Sequence, residues 1–283
     1  MAEPRPSSPA STVTPGLLWA IAGPIRGYVR HFPVQRGKGV LMRRILLPIL
    51  PPEPAVFAAQ LPGGGLVHLH PRETIGFATL LYGGFETPEI SCAIELAVPG
   101  QTTFDVGANV GIYSVALGLR VGRDGLVVAV EPDGANVRRL RENLTMNSIA
   151  NVRVVEAVAG DVDEVVELHL ADDSAYNSVM RIEGRHVETG TAAVQSVRLD
   201  RVWEDLGRPA VSFVKIDVEG AEVSVLRGAR AMITSTRPSL LVEANDESSL
   251  ALLRAELEPL GYRRIARPEF QPWNHLFQCT DPS

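Results

Sequence analysis

Cysteine is nearly absent: Cys92 and Cys279 are the only two in 283 residues, and they form no C-x-x-C pair. That excludes a zinc ribbon or a redox disulfide and fits a reducing, cytoplasmic setting. Long apolar runs are missing too. A membrane helix needs about 20 predominantly apolar residues, and the longest early run, residues 17–25, is interrupted by Gly23 and Pro24, so no transmembrane segment is expected. The six histidines show no H-x-x-x-H or similar metal spacing. Lysine is the scarcest charged residue, with Lys38 and Lys215 alone among 27 basic side chains. In a chain that otherwise uses Arg, an interior Lys raises a chemical question, because Arg cannot surrender its proton and a desolvated Lys can.

What is present is a globular composition. Hydrophobic residues make up 45% and charged residues 21% of the chain, which excludes a collagen-like repeat and a wholly disordered polypeptide. The length accommodates one large α/β domain with an appendage, or two small domains. The net charge of −6 is uneven, since residues 1–60 carry seven Lys/Arg against two acids and residues 61–283 carry twenty against thirty-one. An acidic body argues against a nucleic-acid groove, because phosphate binding depends on clustered Lys and Arg. Residues 1–15, rich in Pro, Ser and Thr, predict a disordered tail. Residues 16–99 form an N-terminal basic extension of short helices and a hairpin, the latter expected from AVFAAQL and LVHLH on either side of Pro62-Gly63-Gly64-Gly65. The basic front (Arg26, Arg30, His31, Arg36, Lys38, Arg43, Arg44) is read first as a solvated face, then as a lid over an acidic substrate, then as a dock for a membrane surface or carrier protein.

From residue 100 strand-like and helix-like runs alternate. TTFDV (102–106), LVVAV (126–130), NVRVVEAVA (151–159), VSFVKID (211–217) and SLLVEA (239–244) have strand character. Between them lie an apolar run over residues 112–119, a stretch with Val137, Leu140 and Leu144 on one helical face, the run AEVSVLRGARAMI, and a stripe of Leu250, Leu253, Leu257 and Leu260 stopped by Gly261. VVELHL (165–170) is an extra strand, followed by a polar loop to about residue 196, and YRRIA and HLFQC close the chain as two short strands. Near-continuous Val/Ile/Leu strands alternating with helices imply an α/β, doubly wound, mostly parallel sheet covered on both faces.

The strongest chemical signal is Asp105-Val106-Gly107-Ala108-Asn109-Val110-Gly111, between a strand and a helix. Glycines there let a backbone approach a ligand and leave helix N-terminal N–H groups free. Twenty residues after Gly111 the next strand ends in Glu131, placed to take the hydroxyls of a ribose. A dinucleotide and S-adenosylmethionine both remain open at this point. Asp105 favours the second, since a carboxylate repels pyrophosphate and welcomes the ammonium of a methionine moiety, and the third glycine of G-x-G-x-x-G is absent.

DVGANVGIYS, VVAVEPD, the RENLTMN helix end, VKIDVEGAEVSVLRGA and RPSLLVEA, in this order and spacing, resemble the FkbM family of class I S-adenosylmethionine-dependent methyltransferases over residues 55–280. The resemblance implies a seven-stranded sheet of the class I methyltransferase (Rossmann-like) type in residues 100–283, its last strand antiparallel, with the N-terminal helical/hairpin extension before it. It implies methyl transfer, usually to a hydroxyl of a saccharide or specialised metabolite. Asp105, Gly107, Asn109 and Gly111 would then hold the methionine end of the cofactor and Glu131 its ribose. Glu86, in Gly84-Phe85-Glu86, would face the cofactor, and Ala157, in Glu156-Ala157-Val158, would meet adenine through the backbone.

The second constellation is Lys215-Ile216-Asp217-Val218-Glu219-Gly220-Ala221-Glu222. Strand alternation puts Lys215 and Asp217 on one face at a carboxyl end, where open sheets place ligands. Methyl transfer to an alcohol needs a route for the hydroxyl proton, which a desolvated Lys or a carboxylate can provide; a structural ion pair is the competing reading. Asp217 with Glu243, Asn245 and Asp246 offers hard oxygen ligands for Mg²⁺, a second cofactor that the resemblance does not require. His68 and His70 suit a half-exposed strand edge, and His275, after Trp273-Asn274, is read first as a packed or surface residue and second as lining the substrate mouth. The expected partner is a small-molecule or glycan acceptor, with a homo-oligomer left open. The competing functions are an NAD-linked oxidoreductase and a non-catalytic nucleotide-binding module on the same fold.

Overall fold

The computed structural model describes residues 47–52, 55–171, 178 and 188–280. The expected tail and the basic front through Arg44 lie outside the described residues. The chain divides into two units, one drawn from residues 1–60 and 67–85, the other from residues 61–66 and 86–283.

The smaller unit contains the hairpin strand β1 (Phe57–Gln60), all but the first residue of β2 (Leu66–Leu69), and helix α1 (Thr74–Tyr82). Alternation governs the strands, where Phe57, Ala59, Val67 and Leu69 are buried. Helix α1 starts close against the exit of β2, for a Cβ on Gly76 would lie 1.9 Å from the His70 carbonyl oxygen. His70 is buried, contrary to the half-exposed position expected for it. Gly83, left-handed at φ 93°, ends α1 by donating its N–H to the Thr79 carbonyl.

The larger unit is built on a seven-stranded sheet of β3 (Thr102–Val106), β4 (Leu126–Val130), β5 (Val152–Val155), β9 (Val211–Ile216), β10 (Ser239–Glu243), β11 (Tyr262–Ile265) and β12 (Asn274–Cys279). Their order is β11-β12-β10-β9-β3-β4-β5. Strand β12 runs antiparallel to β10 and β11, and the other neighbours are parallel. This is the expected doubly wound sheet with an antiparallel last strand. The helices are α2 (Thr87–Leu96), α3 (Ile112–Val121), α4 (Gly134–Met146), α5 (Leu199–Asp205), α6 (Glu222–Gly228), α7 (Arg230–Thr236) and α8 (Glu247–Leu257). Phe104, Val106, Val214, Ile216, Leu240 and Val242 pack with Val225, Met232, Ile233, Leu250 and Leu253 of the helices. Each such side chain contributes about 1.5–3 kcal/mol by leaving water. Helix α2 packs on α3 and β9, so this unit reaches back to Glu86. The turn at residues 61–66 joins it because Leu66 exchanges both backbone bonds with the Asn147 side chain, at 2.8 and 2.6 Å.

Three local expectations are corrected. The run 151–159 is not one strand, because the chain leaves the main sheet after Val155 and re-forms β6 (Val158–Ala159) in a second sheet. The polar loop expected to residue 196 is replaced over its last part by β8 (Glu188–Val197), which pairs antiparallel with β7 (Val165–Ala171) and parallel with β6. Small and β-branched residues such as Thr189, Thr191, Ala193 and Val194 suit a strand, but few of its side chains are buried, so the usual hydrophobic alternation is missing. AEVSVLRGARAMI is two helices, broken at Ala229 where a Cβ on Gly228 would stand 1.9 Å from the Gly160 carbonyl. Among the described residues no helix is long and apolar enough to cross a membrane.

Candidate active site at the carboxyl ends of the central strands

Strand β3 lies between β4 and β9, where the two halves of the sheet run outward in opposite directions. Open sheets bind ligands beyond the carboxyl ends at such a point. The loop leaving β3 is fastened to its neighbours: Gly107 and Ala108 donate N–H groups to the Val130 carbonyl at 2.9 and 3.0 Å, and Asn109 N–H donates to Glu131 Oε2 at 2.8 Å. Gly107, Asn109 and Gly111 all have left-handed backbones, with φ of 78°, 49° and 88°. A Cβ on Gly107 would lie 1.7 Å from the Asp217 carbonyl oxygen, and one on Gly111 2.9 Å from Leu140 Cγ. The glycines thus admit neighbouring protein, joining the β3 and β9 loops backbone to backbone, where the sequence suggested only close approach to a ligand.

Asp105 is 1% exposed. Its Oδ2 accepts the Ser114 hydroxyl at 2.6 Å, while Oδ1 is buried with no hydrogen-bond partner. Burial raises its pKa against the opposing field of Lys215. An orphaned buried carboxylate oxygen next to left-handed loop residues fits the ammonium of the methionine end of S-adenosylmethionine. Glu131 directly follows β4, its Oε1 accepting from Asp133 N–H at 3.0 Å and Asn136 Nδ2 at 3.2 Å. Burial, offset by these bonds, pushes its pKa to about 7. Ala157 is buried where the chain passes from β5 to β6, its N–H donating to the Val155 carbonyl.

Asp105 and Lys215 are cross-strand partners on β3 and β9. Lys215 Nζ donates to Asp217 Oδ2 at 2.7 Å, with the two side chains 5% and 24% exposed, and lies 4.6 Å from the Tyr113 ring centroid. Burial works against its charge, but Asp217, Glu86 and Asp105 together hold its pKa above the ordinary value, so Lys215 is an ammonium. Burial likewise raises Asp217, and Lys215 outweighs it, leaving Asp217 below the usual carboxylate range. Glu243 is the opposite case: burial and then the charge of Asp217 push its pKa to about 11, and it shares a hydrogen bond with Asp217. At neutral pH the row is ammonium, carboxylate and neutral carboxyl.

Glu86 caps the start of α2 with a left-handed backbone, φ 45°. Its Oε2 accepts the Tyr113 hydroxyl and its Oε1 the Asn274 amide, both at 2.8 Å. The structure therefore places Glu86 in the Lys215 cluster, with both oxygens meeting protein donors, and burial raises its pKa. Tyr113, Ser114 and Asn274 were missed. Tyr113 and Ser114 lie in the first turn of α3, directly after the glycine loop, and were open to detection; Asn274 was not, because β12 brings it from 188 residues away.

The oxygen cluster expected to suit Mg²⁺ is corrected in composition. Asp246 caps α8, accepting Ser249 N–H at 2.8 Å and the Ser248 hydroxyl at 2.7 Å, and these bonds hold its pKa at about 2. Glu219 stands in its place, for carboxylate oxygens of Asp217, Glu219 and Glu243 lie within 4.8 Å of one another. Asp217 is paired to Lys215 and Glu243 holds a proton, which accounts for two of the three carboxylates, and no metal is assigned to the group. His275 is buried in β12, and burial lowers its pKa.

Residues 105–264, more than half of the chain, match the model of the methyltransferase FkbM domain. The chain belongs to this family. Relatives include Methyltransferase 1 of Beauveria bassiana (strain ARSEF 2860), 25% identical over an alignment of 187 residues, with 59% of this chain and 75% of that protein covered. The 2-O-methyltransferase NoeI of Sinorhizobium fredii (strain NBRC 101917 / NGR234) is 24% identical over 155 residues, 50% of this chain and 63% of that protein. A solved structure of the FkbM methyltransferase from Methylobacillus flagellatus KT aligns with a TM-score of 0.45 and 20% identity, covering 72% of this chain and about half, 52%, of that one. Membership in this family places the domain among methyltransferases of the S-adenosylmethionine-dependent type, rather than among NAD-linked oxidoreductases.

Proposed function

We propose that this FkbM-family protein transfers a methyl group to a hydroxyl oxygen of a saccharide or specialised metabolite, and that Asp217 receives the hydroxyl proton. The observation that carries the reading is the Lys215–Asp217 pair, a buried ammonium holding a partly exposed carboxylate 2.7 Å away at the carboxyl end of β9. S-adenosylmethionine supplies the methyl group, and Asp105, the glycine loop and Glu131 are the residues suited to hold it. As the acceptor oxygen bonds to the methyl carbon it becomes strongly acidic, so even a carboxylate of low pKa suffices to take its proton, while the methyl–sulfur bond breaks to leave a neutral thioether. Lys215 stays protonated, so its part is to fix Asp217 in place and in charge, while Glu243 shares a hydrogen bond with Asp217. Displacement of this kind needs alignment more than covalent help. The name of the 2-O-methyltransferase relative supports an oxygen acceptor.

Calorimetry should detect S-adenosylhomocysteine binding and no NADH binding. Incubation of the full chain with isotope-labelled S-adenosylmethionine and pooled glycans and metabolites should yield a product heavier by one CH₂ and labelled on oxygen. Asp217→Asn should keep S-adenosylhomocysteine affinity and lose turnover. A product labelled on nitrogen or carbon would overturn the reading.

A further inference from the structure

Most of the site grips charge and hydroxyl groups; one residue at its rim offers something else. Trp273 is 38% exposed, whereas Trp203 is buried in the core. Single exposed aromatics are ordinary on protein surfaces, but this one is held in place at the ligand-binding end of the sheet. Its carbonyl accepts the Ala244 N–H at 2.8 Å, directly past the carboxyl end of β10. The next residue, Asn274, pairs across the strands with Glu243 and donates to Glu86. The preceding segment is fixed as well, with Asn274 N–H bonded to the Gln271 carbonyl and Gln271 N–H bonded to the buried Glu89. The main chain that carries this exposed indole is thus fastened one residue from Asn274, which bonds Glu86 of the Lys215 cluster.

An indole face is flat, apolar and electron-rich, and it rewards a partner whose own face is lined with C–H groups. A saccharide ring has that face, with its hydroxyls projecting from the edge toward carboxylates; an open-chain polyol has the same hydroxyls without the face. We propose that Trp273 is a specificity-determining residue that stacks on the ring of the acceptor and makes the enzyme prefer a cyclic saccharide to an open-chain polyol. This inference rests on the hydroxyl-methylation reading above and deepens it to a substrate shape.

The test compares methyl pyranosides with their matching alditols as acceptors for labelled S-adenosylmethionine, using the full chain as wild type, Trp273→Ala and Trp273→Phe. Wild type should methylate at least one pyranoside and prefer it to its alditol. Trp273→Ala should raise KM for that pyranoside about tenfold with a smaller change in kcat, and Trp273→Phe should recover most of the loss. S-adenosylhomocysteine affinity, measured by calorimetry, should stay within about twofold in all three, since stacking on the acceptor leaves the cofactor residues untouched. An unchanged KM in Trp273→Ala, or alditols accepted as well as pyranosides by wild type, overturns the role of Trp273 and leaves hydroxyl methylation standing. Wild type that methylates other hydroxyl compounds but no pyranoside overturns the ring preference, and wild type that methylates no hydroxyl at all overturns both.

Discussion

Replacing Lys215 by Met separates a positioning cation from a structural one. The variant removes an ammonium 2.7 Å from Asp217 Oδ2 and leaves Asp217, Glu86 and Asp105 facing one another around an apolar side chain. At that distance and an effective dielectric of about 20, the lost attraction is about 6 kcal/mol. The pair also carries the cost of burial, and measured losses on breaking such pairs are about 3–5 kcal/mol. For a chain of this size that corresponds to a fall in melting temperature of about 6–20 °C. Asp217 can relieve part of the cost by taking a proton, because burial raises its pKa once Lys215 no longer opposes it. A protonated Asp217 cannot accept the acceptor's proton.

Two readouts follow from that coupling. The single-turnover rate per folded molecule should be flat through neutral pH in wild type, where Asp217 sits below the usual carboxylate range. In Lys215→Met it should be low at neutral pH and rise with pH as Asp217 ionises. Lys215→Arg keeps Asp217 charged, so its profile should stay flat, while its bulk against the Tyr113 ring at 4.6 Å displaces the carboxylate and lowers the rate at every pH. Adding Asp217→Asn to Lys215→Met should restore part of the lost stability, since it removes the unpaired carboxylate. Folded Lys215→Met with a wild-type rate and a flat profile would refute the reasoning and leave Lys215 a purely structural residue.

Glu131 gives a pH dependence of defined sign. Its folded pKa is about 7 against an ordinary 4.5, so between those values the folded state binds a proton that the unfolded state has lost; stability falls by up to about 3 kcal/mol as pH rises through this window and is flat above it. S-adenosylhomocysteine affinity should move the other way, rising toward pH 7 as the carboxylate forms for the ribose hydroxyls. Both trends should diminish in Glu131→Gln, and parallel curves for wild type and variant in chemical denaturation and calorimetry would sink this account. Gly107→Ala must relieve an approach of 1.7 Å to the Asp217 carbonyl while holding φ at 78°, which should cost about 3 kcal/mol and weaken S-adenosylhomocysteine binding together. A wild-type melting temperature in that variant would mean that the two loops do not touch.

The centre of the main sheet could be read from sequence because β3, β4, β9 and β10 are buried along almost their whole length and are therefore rich in Val, Leu, Ile and Phe. TTFDV and LVVAV match β3 and β4 residue for residue. Strand β8 could not be read in this way, since the sheet it forms with β6 and β7 buries few side chains and imposes little hydrophobic pattern. The switch at Glu156-Ala157 was hidden for a related reason: both β5 and β6 are apolar, and nothing in VVEAVA marks where one sheet ends and the other begins. The break at Ala229 depends on the Gly160 backbone, 69 positions earlier in the chain, so a helical pattern alone runs straight through it.

The candidate site divides along the same physical line. Asp105 and Lys215 stand on neighbouring parallel strands, and Glu131 and Asp217 directly follow the ends of β4 and β9, so their convergence follows once the sheet is parallel. Asp246 was misplaced by neglecting a local competitor. Asp246-Glu247-Ser248-Ser249 has the spacing of a helix cap, and Asp246 Oδ1 is engaged by the Ser249 N–H and the Ser248 hydroxyl. What sequence cannot supply is protonation. Lys215 and Glu243 each look able to gain or lose a proton in isolation. Only their enclosure with Asp217 decides that the lysine keeps its proton and the glutamate takes one, leaving Asp217 as the charged member of the row that is also open to an acceptor.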